Sequence, residues 1–160
     1  MDKEIIDCFR DEAFPLLKEL ECIVEKLEEQ SDQFPTQLML EFSQKIDRIM
    51  GTAKTVALDD REHLGPARIG QLSEICKILG QQAAAAKKSE LLPIFAAFWA
   101  DTIEAIREFL EKLEDKKACQ VLASKYSSVL TKRLEWLSKT VGKGLDPNQL
   151  HSMLKSMSLS

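Results

Sequence analysis

The chain has 160 residues, 44% of them hydrophobic and 30% charged, with a formal net charge of -4. That length fits one folded domain with a sizeable core, and the balance of apolar and charged residues excludes an intrinsically disordered chain. No long run of Lys or Arg supplies the electrostatic footprint of a nucleic-acid binder, so no nucleic-acid partner is expected.

Apolar residues recur at helical spacing from end to end and no alternating strand pattern persists, which predicts an all-α fold. The first predicted helix runs from about Lys3 to Gln30, with Ile6, Phe9, Ala13, Leu16, Leu17, Leu20, Ile23, Val24 and Leu27 among its apolar stripe. Pro15 lies inside it and is expected to kink or break it near Ala13. After the linker SDQFP a second helix is predicted over Thr36–Leu58, with Leu38, Phe42, Ile46, Ile49, Met50, Ala53 and Val56 inward. The segment DDREHLGP reads as a loop holding His63, with Gly65 and Pro66 as breakers. Pro66 suits the first turn of a third helix reaching about Lys88, interrupted mildly by Gly80.

The fourth predicted helix, about Glu90 to Leu113, is the most apolar. Its run LLPIFAAFWA is about half the ~20 residues that a membrane span needs, so no membrane insertion is expected. A fifth helix follows from about Asp115 to Val141. VGKGLDPNQ is the clearest linker, with Asp146 and Pro147 suited to an N-cap and first helical residue. Leu150, Met153, Leu154 and Met157 then give a short amphipathic tail that also holds His151. Residues 1–141 therefore read as a helical bundle with a fifth helix, and residues 142–160 as linker and tail. Long amphipathic helices joined by short loops predict an antiparallel four-helix bundle with the last helix and tail added to it.

Cys8, Cys22, Cys76 and Cys119 are scattered and form none of the close pairs that mark zinc or redox sites. Reduced thiols, no metal and no cofactor are expected. The acidic N-terminus MDKEIIDCF has no apolar signal region, which points to the cytoplasm.

The stretch KIDRIMGTAKTVAL, Lys45 to Leu58, places a glycine inside the second helix at a cost of about 1 kcal/mol relative to alanine. At ~100° per residue, Gln44, Asp47, Gly51 and Lys54 fall on one ridge away from the apolar stripe. Taken alone, the ridge reads either as an ordinary solvated face whose glycine fits a close helix contact or as an exposed site where the glycine lets another backbone approach.

The order of the helices from Glu4 to Glu114 resembles the histidine phosphotransfer domain, particularly the version at the N-terminus of chemotaxis histidine kinases. The segment FSQKIDRIMGTAKTVAL aligns with that family's phospho-accepting helix: Phe42 takes the aromatic position and Gly51-Thr52-Ala53 the Gly-Ser-Ala position. IGQLSEICKILGQQA and ELLPIFAAFWADTIEAIREFLEKLE resemble the two helices that follow. Asp47 stands where the family has its histidine, Met50 replaces the lysine before the glycine, and Lys77 takes the place of the acidic residue that assists the histidine. A carboxylate cannot accept a phosphoryl group from an acyl phosphate as imidazole does, so the resemblance implies a domain that has lost phosphotransfer.

What it implies instead is a non-catalytic module docking a response-regulator receiver domain or a histidine kinase component. Gln44, Asp47, Gly51 and Lys54 would form its binding face, with Lys77 opposite Asp47 as a reversed charge pair. Two other readings stand beside it. One is a phosphatase for receiver aspartyl phosphate, using Glu41 and Gln44 or Gln44 and Asp47 to position water. The other is a structural adaptor working through the fifth helix and tail. The residues carry no signal of oligomeric state.

Overall fold

The computed structural model describes residues 1–29, 32–141, 148, 151, 152 and 155. The expected N-cap Asp146 with Pro147, and the tail positions Leu150, Met153, Leu154 and Met157, lie outside the described residues. The fold is all-α. Among the described residues up to Val141 five helices follow one another: α1 (Lys3–Glu28), α2 (Thr36–Asp59), α3 (Leu64–Ala86), α4 (Leu92–Glu111) and α5 (Lys116–Val141). No described helix is long and apolar enough to cross a membrane.

Local chemistry sets the helix ends. Asp2 caps α1 by accepting from the Glu4 N–H at 3.0 Å, and the Asp115 carboxylate accepts from the Ala118 N–H at the start of α5. Lys87 closes α3 in the left-handed region, φ 51°, its N–H donating to the Ala83 carbonyl. A single 3-10 turn, Ser89–Leu91, then leads into α4, so the expected start at Glu90 is a different kind of turn.

Three expectations need correction. Pro15 does not break α1, which runs on through it. The residue is exposed, so water can satisfy the carbonyl one turn back that has lost its donor. Gly65 is not a loop breaker but a first-turn residue of α3, beside Pro66, which takes the first-turn place expected of it, where a proline's missing N–H costs nothing. On α2, Leu38, Met50 and Val56 are half-buried, while Met39 takes a core position. Met39, Phe42, Ile46, Ile49 and Ala53 alternate steps of three and four residues and so hold one direction along the helix.

Cross-helix pairs show the direction of each neighbour. Lys45 meets Glu19 and Arg48 meets Glu12 between α2 and α1, while Lys54 meets Glu74 and Lys77 meets Asp47 between α2 and α3. Arg10 reaches Glu114 and Arg107 reaches Glu21 between α1 and the α4 end of the chain. In each set, higher numbers on one helix meet lower numbers on the other, so these neighbours run in opposite directions. α5 packs on α3 and α4, with Tyr126 donating to Glu108 at 2.6 Å and Arg133 paired with Asp101.

One apolar core joins all five helices and includes Phe42, Ile49, Leu72, Leu79, Phe95, Phe98, Trp99, Ile106 and Phe109. Trp99 lies at its centre, its ring centroid 4.5 Å from that of Phe42 and 5.6 Å from that of Phe95. Two α3 glycines face α2. A Cβ on Gly70 would stand 3.2 Å from Lys54 Cγ and 3.8 Å from the Lys54 backbone N, and one on Gly80 would touch the Phe42 ring at 3.6 Å.

Candidate functional site

The α2 stripe that faces the core leaves Gln44, Asp47, Gly51 and Lys54 exposed on the opposite side, as the spacing predicts. Within this ridge the residues divide. Asp47 and Lys54 lean towards α3: Asp47 Oδ1 lies 2.6 Å from Lys77 Nζ, and Lys54 Nζ lies 3.3 Å from Glu74 Oε2. Lys77 is thus brought to Asp47, while Lys54 is drawn away to a carboxylate on α3. Both pairs are at the surface, where each contributes about 0–1 kcal/mol. Their effect is to fix where the charges stand.

Gly51 occupies the crest. A Cβ built on it would meet no heavy atom within 4 Å, so no neighbouring helix requires a glycine here. Its carbonyl accepts from the Thr55 hydroxyl at 3.0 Å. Beside it lies a shallow hollow lined by Glu12, Asp47, Arg48, Thr52, Thr55 and Val56. Glu12 closes the far side from α1, accepting from Thr52 Oγ1 at 3.2 Å and pairing with Arg48 at 3.7 Å. Glu12, Arg48, Thr52 and Thr55 were not among the expected site residues. Their signal in the sequence is weak, because Glu12 comes from another helix and the three α2 residues flank the ridge rather than lie on it.

The two histidines stand outside all five helices. His63 is buried and caps α3, its Nδ1 accepting from the Gly65 N–H at 3.1 Å and its Nε2–H donating to the Leu113 carbonyl at 2.6 Å. Those bonds fix the tautomer and occupy both ring nitrogens. The loop expected around it is correspondingly short and firmly anchored. His151 is exposed and follows α5.

Among the described residues, no three or more His, Cys, Asp or Glu side chains are grouped to hold a metal ion. Cys76 and Cys119 are buried and Cys8 and Cys22 exposed. Burial pushes the Cys76 thiol well above its ordinary range and that of Cys119 up to about 11, so neither ionises at neutral pH.

Comparisons with protein-family models, with curated proteins and with solved structures give no match.

Proposed function

We propose that the chain is a phosphotransfer-like docking module without phosphotransfer chemistry. In this reading α1 to α4 form the antiparallel four-helix bundle of the histidine phosphotransfer type and α5 is the addition. The observation that carries the reading is the joint placement of Asp47, Lys77 and Gly51. An acid and a base face each other across α2 and α3 where the resembled family has a histidine and its acidic assistant, and the glycine one turn on is open to solvent. A partner's backbone can rest in the hollow beside Gly51 while its polar groups meet the rim of Glu12, Arg48 and Asp47. The partner is a response-regulator receiver domain or a histidine kinase component.

The phosphatase reading through Gln44 and Asp47 has less support, because the Asp47 carboxylate is engaged by Lys77 rather than held ready to orient water, and its form through Glu41 and Gln44 is decided by the same experiment. The deciding experiment titrates the chain into a phosphorylated receiver domain and follows both binding and phosphate. Saturable binding with unchanged phosphate decay supports docking. Accelerated decay favours the phosphatase, and no binding to receiver or kinase removes the signalling reading.

A further inference from the structure

α5 differs in charge from the rest of the molecule. It holds six of the chain's 22 Lys and Arg residues but only one, Glu135, of its 26 Asp and Glu. At ~100° per residue, Lys117, Val121, Lys125, Lys132, Trp136 and Lys139 lie on one stripe opposite the buried Cys119, Leu130, Leu134 and Leu137. Val121 is 68% exposed and Trp136 52%. On the α2 face Lys45, Arg48, Lys54 and Lys77 are each matched by a carboxylate, whereas Lys117, Lys132 and Lys139 have none within 4.0 Å among the described residues. A cationic stripe that carries a tryptophan and is not neutralised among the described residues is a surface built for an anionic one.

The outward face of α1 is such a surface. Glu4, Asp7, Asp11, Glu25 and Glu29 align there, interrupted by Lys18, and among the described residues none of these carboxylates is in an ion pair. α1 and α5 are each 26 residues long, about 39 Å, so the two stripes also match in extent. They cannot meet within one molecule, since each points away from the common core.

We infer that the chain self-associates, the lysine and tryptophan stripe of α5 in one copy lying on the acidic face of α1 in another. Trp136 supplies the apolar anchor and the lysines set register and encounter rate. This contact uses neither Gly51 nor the Asp47–Lys77 pair, so it stands or falls independently of the docking proposal.

Sedimentation of the full chain tests it. Association is expected at low salt and should weaken at least about tenfold between about 0.1 M and 1 M salt, as the screening length falls from about 10 Å to about 3 Å. Trp136 emission should shift to the blue on association while Trp99, already buried, does not change. Reversing Lys117, Lys125, Lys132 and Lys139 to Glu should give a monomer, as should reversing Asp7, Asp11 and Glu25 to Lys. Mixing the two reversed chains should restore association, which also shows that both remain folded. A wild-type chain that stays monomeric at every salt concentration overturns the inference, as does association that survives either reversal or a mixture that fails to recover it. Binding of the α5 stripe to anionic vesicles by a chain that never self-associates would likewise overturn it.

Discussion

Lys77 Nζ lies 2.6 Å from Asp47 Oδ1, which ties the middle of α3 to the middle of α2 at the surface. Because both groups are solvated, Asp47→Ala and Lys77→Ala should each change stability by less than about 1 kcal/mol, read from chemical denaturation. Binding of the docking partner should respond more than stability does, since removing Asp47 leaves the Lys77 ammonium unmatched on the rim. A large loss of stability from either variant would mean that the pair is structural.

Gly51 and Gly65 should respond in opposite ways to the same substitution. Gly51→Ala places its methyl in open space and should stabilise the chain by up to about 1 kcal/mol through helix propensity. A Cβ on Gly65 would stand 2.8 Å from Leu113 Cδ2 and 3.0 Å from Cys119 Sγ, so Gly65→Ala should cost about 1–3 kcal/mol. Gly51→Trp should keep the wild-type Tm and abolish partner binding, and Asp47→Ala should weaken binding less. If Gly51→Trp unfolds the chain, the open-crest geometry is wrong.

Phe98 and Phe109 are both buried in the shared core. Replacing either by alanine should destabilise the fold by about 3–5 kcal/mol, measured by denaturant titration. Losses below about 1 kcal/mol for both would contradict the helix faces described above.

Asp60, in the α2–α3 turn, accepts from Lys116 at 2.7 Å, with the Met1 amino group at 3.5 Å. The Lys116 hydrogen bond holds the Asp60 carboxyl below its ordinary value of 3.8. A carboxyl whose pKa is lowered by folding stabilises the fold above its unfolded value and ceases to do so as pH falls through the folded one. Asp60→Asn should therefore have a lower Tm than wild type at neutral pH. The gap should narrow as pH drops below about 3.8 and close in stronger acid. A gap independent of pH would show that the pair contributes through shape rather than charge.

Thiol reagents should separate the cysteines into two classes. Cys8 and Cys22, both exposed, should react in the native state, and Cys76 and Cys119 only on unfolding. Mass spectrometry of the labelled native chain reads the outcome directly; early modification of Cys76 would place α3 differently against α4.

The apolar stripes were legible because each helix buries one continuous face, and period alone assigns Phe42, Ile46, Ile49 and Ala53 to it. Met39 in place of Leu38 was not legible, since both fit the flank of the stripe and packing against the other helices selects between them. Gly65 and His63 look like loop residues singly, while Pro66 already suits a first helical turn. Their role as a capped first turn depends on Leu113 and Cys119, more than forty residues away. The exposed ridge could be read from α2 itself, and the Asp47–Lys77 pairing only by placing α2 and α3 in register. The hollow beside Gly51 needed Glu12 from α1, which no spacing on α2 encodes.

Gly70 packs against Lys54 and Gly80 against Phe42, so α3 meets the helix that carries the ridge towards both of its ends, and ion pairs from Lys54 to Glu74 and Asp47 to Lys77 lie between. Backbone amides around Gly51 should accordingly exchange with solvent deuterium at rates set by global unfolding rather than by local opening. A partner would then meet a surface already in its bound shape, and association should follow a single concentration-dependent phase with no slower rearrangement behind it.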